Sequence, residues 1–327
     1  MNTELIIGKS RTFQETIEEV DKYAKSPWPI LLTGETGVGK ELLACRIHSQ
    51  SMRQKGPFIP VNCGALPPGL FESELFGYER GAFSGAVQAQ RGLVRAAQSG
   101  SLFLDEIGEL DLGLQVKLLR LLESQELRSV GSHRVEKVDV RIIAATNRNL
   151  MALVKEGGFR QDLFERLSVL PVRVPPLRER SEDIPFLAAG ILGRMGASLE
   201  NVDFSCLTQF DWPGNTRQLK NFLIRAHVLT EGALSSVFLK DLLETEREKL
   251  MGTALAETQV TGVTLAEIER QVVLERLTRC HGNRKRAAKE LGIAKSTLHE
   301  KLRKWKLHTA EEAWPLYREP RLPAMGL

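Results

Sequence analysis

Gly34-Glu35-Thr36-Gly37-Val38-Gly39-Lys40-Glu41 follows a short apolar run, Pro29-Ile30-Leu31-Leu32-Thr33, and opens a helical pattern carried by Leu42, Leu43 and Ile47. Strand, glycine-rich turn and helix in that order are the context of a phosphate-binding loop. Glycines let backbone N–H groups curl around an anion without a Cβ clash, and the helix N-terminus adds partial positive charge. Lys40 stands where it can reach β- and γ-phosphates. Glu41 occupies the place of the generic Ser or Thr, so one usual Mg2+ contact is missing from the bare motif. Some 65 residues on, Leu102-Phe103-Leu104-Asp105-Glu106 carries two acids to the end of another apolar run. At the carboxyl edge of a parallel sheet, Asp105 would hold Mg2+, usually through water, and Glu106 would polarise an attacking water. Each pattern alone competes with a ligand-free turn or an exposed strand end. Together they specify nucleoside triphosphate hydrolysis.

The elements that must position these groups are legible in outline. Phe13, Ile17, Val20 and Ala24 recur at helical spacing ahead of the loop. Pro57 to Cys63, Ser101 to Glu106, Val138 to Thr146 and Val169 to Val174 read as further strands, and Leu114, Leu118, Leu121 and Leu122 stripe a helix. Short apolar strands alternating with amphipathic helices predict an α/β parallel sheet with helices on both faces. From Pro175 onward the strands stop, and helical patterns around Ile184 to Arg194, Cys206 to Phe210 and Arg217 to Leu229 predict a separate all-helical subdomain.

The 327-residue chain is long enough for two or three domains. No run of 18 apolar residues spans a membrane, and residues 1–11 lack a signal-peptide profile. Cys45, Cys63, Cys206 and Cys280 are scattered, as expected of reduced thiols in a cytoplasmic protein. The net charge of +4 is unevenly spread: Thr264 to His308 holds twelve Lys and Arg against five Asp and Glu, a local +7 that leaves the remainder at −3. A basic module on an acidic body points to nucleic acid at one end. There Asn283 caps a helix through Leu291, Gly292-Ile293-Ala294 turns, and a second helix carries Leu298, Leu302 and Trp305 on one face. Its other face shows Lys295, Ser296, Thr297, His299, Glu300 and Arg303, the arrangement of a helix-turn-helix recognition helix. Leu265, Ile268, Val272, Val273 and Leu277 on the preceding helix suggest a dimer seam.

Between the two nucleotide motifs lies Gly81-Ala82-Phe83-Ser84-Gly85-Ala86. Glycines bracketing a Phe suggest a surface tip with an apolar probe for a partner. This run, with GETGVGKE, LFLDE, Ser73 to Arg80, Ala145-Thr146-Asn147, Phe159 to Leu167, Pro175 to Arg180 and Trp212-Pro213-Gly214-Asn215, resembles the AAA+ activators of sigma-54 RNA polymerase, the NtrC-like bacterial enhancer-binding proteins. The resemblance runs from about Ile6 to about Leu307, and the family's usual GAFTGA reads GAFSGA here.

The resemblance implies roles residue by residue. Glu41 becomes the family's own usage. Asn62 would hydrogen-bond the catalytic Glu106, and Asn147 would sense the γ-phosphate. Arg160 and Arg166 would be arginine fingers reaching a neighbouring subunit, and Arg217 the second sensor on the lid. Ile7 and Gly8 would line the adenine pocket, and residues 81–86 would engage sigma-54. The basic module resembles the family's Fis-type domain, in which many members carry Ser or Asn at the position of Ala294. The implied organisation is an AAA+ α/β subdomain at 1–174, a helical lid at 175–245, a linker at 246–262, a helix-turn-helix at 263–308 and a flexible tail at 309–327. The implied activity is ATP hydrolysis with Mg2+ that remodels the closed sigma-54 polymerase complex, by a protein that binds enhancer DNA and assembles from dimers into a hexameric ring. Because the ATPase motifs begin close to Met1, control by a separate inhibitory protein is the expectation. A generic AAA+ remodeller would lack residues 81–86 and the terminal module. A DNA-binding regulator without ATP turnover would not need Lys40, Asp105, Glu106, Arg160 and Arg166 together.

Overall fold

The computed structural model describes residues 8–199, 202–258, 269–270, 273–274, 276–277, 280 and 283–305, with backbone alone for 249–258. The chain divides into two compact units, Met1–Leu243 and Glu244–Leu327. The first unit begins with α1 (Arg11–Ala24), β1 (Ile30–Thr33), α2 (Lys40–Ser49), β2 (Phe58–Asn62), α3 (Pro68–Phe76), β3 (Gly77–Tyr78), β4 (Gln90–Arg91) and α4 (Leu93–Ala96). It continues through β5 (Ser101–Asp105), α5 (Leu112–Ser124), β6 (Glu126–Leu127), β7 (Glu136–Lys137), β8 (Arg141–Thr146), α6 (Leu150–Lys155), α7 (Gln161–Leu167) and β9 (Leu170–Arg173).

Five strands form one parallel sheet in the order β2-β5-β8-β1-β9. Their apolar runs are nearly continuous because both faces are covered, and successive residues enter opposite cores. Leu31, Leu102, Leu104, Ile142 and Ala144 pack with Leu75, Leu114, Leu118 and Leu163 of α3, α5 and α7. Ile30, Leu32, Phe103, Ile143 and Ala145 pack with Val20, Leu43 and Ile47 of α1 and α2. The register sets Thr33 opposite Thr146 and Asn62 opposite Asp105, so the ends of β1, β2, β5 and β8 share one edge.

Beyond β9, a 3-10 turn (Leu177–Asp183) leads into α8 (Ile184–Arg194), a second 3-10 turn (Ser205–Gln209), α9 (Asn215–Leu229) and α10 (Ser236–Thr258). Leu177, Leu187, Leu192, Trp212, Leu219, Phe222 and Leu223 form a separate all-helical core, with Phe210 and Phe222 rings set edgewise against Trp212. Residues 246–258 were expected to be linker, and the structure continues α10 through them. Met, Leu, Ala and Glu in this stretch sustain a helix by propensity without supplying the apolar period that would have revealed it. No helix among the described residues is long and apolar enough to cross a membrane.

In the second unit α11 (Arg284–Glu290) and α12 (Lys295–Lys304) enclose Ala287, Ala288, Leu298 and Leu302. Val273 and Leu277, expected on a dimer seam, pack into this same small core. Leu265, Ile268 and Val272 lie outside the described residues.

Candidate functional site

The loop from Gly34 to Lys40 curls back on itself because Gly37 (φ 80°) and Gly39 (φ 105°) take left-handed conformations that L side chains rarely adopt. Gly37 has a second constraint, since a Cβ there would lie 2.4 Å from Gly214 O and 2.9 Å from Arg217 Cβ. A Cβ on Gly39 would project into open space, as expected of a residue at the mouth of a cradle. Lys40 begins α2 and is only 6% exposed. Its ammonium donates to Gly34 O (2.8 Å) and Glu35 O (3.2 Å). Burial lowers its pKa, Glu106 and Asp105 oppose that shift, and Arg217 reinforces it. Glu41 is exposed in the first turn of α2, where a negative side chain suits the helix dipole.

Asp105 ends β5, and its carboxylate accepts Glu106 N–H at 3.0 Å. Glu106 itself is held at φ 53° and ψ 48°, a sparsely populated region for a non-glycine residue and a form of strain that clusters at functional sites. Asn147, just past β8, donates from its side chain to Thr36 Oγ1 (2.9 Å) and from its backbone to Glu106 Oε2 (3.4 Å). It therefore spans the gap between the loop and the acid. Asn62 differs from expectation: its side-chain oxygen accepts Gly64 N–H at 2.9 Å, and among the described residues no bond joins it to Glu106. A buried lysine, glycine-curled amides, two acids and a nearby arginine at one sheet edge fit a polyphosphate carrying a divalent cation. Asp105 would hold the cation.

The helical subdomain closes over this edge, and here sequence reasoning missed several residues. Asn215, fully buried at the start of α9, donates to Thr36 O (3.1 Å) and Glu35 Oε2 (3.1 Å) while accepting from Leu177 N–H (2.7 Å). Arg178 forks onto Glu35 at 2.9 and 2.6 Å and holds its carboxyl below the usual range, with help from Asn215. Arg180, 3% exposed, donates to Val38 O at 2.9 Å and lies over the Phe13 ring at 4.2 Å. Asp183, fully buried, accepts Lys9 N–H, Ser10 N–H (2.7 Å) and Ser10 Oγ–H (2.8 Å), which ties down the chain just after Gly8. The available signal was the Pro-Pro-Leu-Arg-Glu-Arg and Trp-Pro-Gly-Asn runs, whose residues reveal no partner until the lid folds back. Ile7 lies outside the described residues.

Arg160 and Arg166 flank and occupy α7 and are exposed. Arg160 forks onto Asp162 at 3.0 and 2.7 Å, and Arg166 reaches Glu123 at 3.3 Å. Neither bond involves the phosphate loop of this chain.

Residues 81–86 form a tight turn beyond β3, with Gly81 N–H donating to Ala86 O at 2.9 Å and positive φ at Gly81 and Gly85. Phe83 is 44% exposed beside the Tyr78 ring (4.9 Å), Ser84 is exposed and Ala86 is buried. Ala82 rests on Gly131 of the β6–β7 hairpin so closely that a Cβ there would lie 2.7 Å from its methyl. In the second unit, Lys295, Ser296, His299, Glu300 and Arg303 are exposed and Thr297 half-buried, while Leu298 and Leu302 face inward. Asn283 accepts Arg286 N–H at 3.1 Å and caps α11, whereas Ala294 leaves α12 without a side-chain cap.

Comparison with known proteins agrees with this geometry. Residues 6–173 match the sigma-54 interaction domain, 178–253 an AAA+ ATPase lid domain, and 264–305 the Fis family of bacterial regulatory proteins. The regulatory protein AtoC of Escherichia coli is 42% identical over 318 residues, covering 94% of this chain and 68% of its own length. The response regulator PilR of Pseudomonas aeruginosa is 41% identical, covering 91% and 69%. The crystal structure of NtrX from Brucella abortus superposes with a TM-score of 0.71 at 35% identity, over 92% of this chain and 69% of that one. Its complex with ATP gives 0.69 at 34% identity, over 92% and 69%.

Proposed function

Because the chain belongs to the family of sigma-54-dependent transcriptional regulators, we propose that it hydrolyses ATP to drive the closed sigma-54 polymerase complex open, from a site on enhancer DNA. The observation that supports this most directly is the bridge across one sheet edge: Asn147 donates to Thr36 Oγ1 of the phosphate loop at 2.9 Å and to Glu106 Oε2 at 3.4 Å, beside the buried Lys40. Lys40 and the loop amides hold the phosphates. Asp105 would hold Mg2+, which would supply neutralisation of the phosphate charge. Glu106 accepts a proton from the attacking water, Asn147 senses the γ-phosphate and Arg217 does so from the lid. Arg160 and Arg166 act on a neighbouring subunit's site within a ring, where an arginine finger is worth roughly 10³–10⁵ in rate. Phe83 is the apolar contact to sigma-54, and α12 enters the major groove. The protein works in the cytoplasm, with assembly or an inhibitory protein acting in trans as the control.

The test is ATPase activity measured beside open-complex formation on a sigma-54 promoter. Phe83→Ala is expected to abolish open complexes while retaining ATP hydrolysis, and Ser84→Thr to retain both. Open-complex formation at wild-type level by Phe83→Ala would overturn the assignment of this loop.

A further inference from the structure

Glu35 occupies the second position of the phosphate loop, where no phosphate chemistry requires a carboxylate, yet among the described residues the hydrogen bonds its side chain accepts come from the lid. Arg178 supplies two of them, at 2.9 and 2.6 Å, and Asn215 a third, at 3.1 Å. Asn215 also donates to Thr36 O and accepts from Leu177 N–H, so one buried amide joins the loop, the 3-10 turn and the first turn of α9. The approach is close enough to exclude any side chain at Gly37. Two residues further along α9, Arg217 bears electrostatically on Lys40. The lid is thus tied to the loop at one end of this turn and bears on the phosphate-binding cation at the other.

We propose that Arg178 and Asn215 are positioning residues that latch the lid to Glu35 and thereby set how long nucleotide is retained. The argument is one of linkage. Phosphates that draw Arg217 inward favour the lid position in which the latch is made, and a made latch must then favour bound nucleotide by the same factor. The inference rests on the ATPase reading and adds to it the step governed, which is release of ADP rather than cleavage of ATP. Arg178 is suited to this because its fork grips both oxygens of one carboxylate while remaining partly open to water, so the latch is strong enough to order the loop and weak enough to open.

The experiment is stopped-flow release of a fluorescent ADP analogue from the full chain, with KM and kcat for ATP, in wild type, Arg178→Gln, Arg178→Lys, Glu35→Gln and the Glu35→Gln/Arg178→Gln double variant. Arg178→Gln is expected to speed release and raise KM about three- to ten-fold, with no matching fall in kcat. Arg178→Lys, which keeps the charge but loses the fork, is expected to fall between. The double variant is expected to be no worse than the poorer single, since each removes the same link. Release and KM unchanged in Arg178→Gln would overturn the latch, as would an Arg178→Gln effect of equal size with and without Glu35. A wild-type chain that binds no ADP would instead overturn the ATPase reading itself.

Discussion

At the scale of single residues, the buried charges around the lid turn serve different ends. Arg180 has a pKa lowered to about 10 by burial, with Asp183 opposing the shift, and among the described residues its Nε has no hydrogen-bond acceptor. Its stabilisation comes from Val38 O and from the face of Phe13, a cation–π contact that strengthens away from water. Asp183 acts as the acceptor for donors at Lys9 and Ser10. Asp183→Ala leaves the two Ser10 donors buried and unpaired, at about 1–3 kcal/mol each, and the Lys9 N–H without its carboxylate. Asp183→Asn keeps one acceptor oxygen for the two backbone N–H groups. The urea midpoint should therefore fall sharply for Ala and only mildly for Asn. Equal losses in the two variants would mean that the charge, and not the acceptor geometry, holds this segment.

At the scale of elements, the two helices of the basic module differ in one detail that predicts their stability. Asn283 caps α11, but Ala294 offers no side-chain oxygen to the first N–H groups of α12. Ala294→Ser should stabilise the start of α12 by about 1 kcal/mol, slowing exchange of the Thr297 amide roughly five-fold in the full chain. An unchanged exchange rate would show that water already satisfies this end. The missing cap could be read from one residue because capping is local. The five strands were legible for a similar reason: burial on both faces demands near-continuous apolar runs such as Leu102-Phe103-Leu104 and Ile142-Ile143-Ala144. What escaped sequence reasoning depends on long-range closure. Asn215 entered only as the end of the Trp-Pro-Gly-Asn run, and only the folded lid brings it to Thr36 and Glu35. Gly131 gave no hint that it would support Ala82. The Asn62–Glu106 bond was implied by family resemblance alone, and in the structure Asn62 instead accepts from Gly64 N–H.

At the scale of the whole molecule, every proposed catalytic group except the arginine fingers converges on one edge of the sheet. Arg160 and Arg166 are exposed, paired with Asp162 and Glu123, and make no bond to their own phosphate loop. A site complete in one chain would have no use for them, whereas head-to-tail contacts that close into a ring would carry them to the next subunit. Mixing two inactive proteins decides between these arrangements. Glu106→Gln removes the base but keeps the finger, and Arg160→Ala removes the finger but keeps the base. Each alone should hydrolyse ATP at least 10²-fold more slowly. In an equimolar, freely exchanging mixture, roughly a quarter of sites would pair an intact base with a neighbour's intact finger, restoring about that share of wild-type turnover. Turnover that stays at the level of the separate variants, under conditions where labelled subunits are seen to exchange, would mean that the arginines act within their own chain or not at all. The same mixture made with Arg160→Lys in place of Arg160→Ala should recover no more, because a lysine in that chain replaces the planar fork with a point charge.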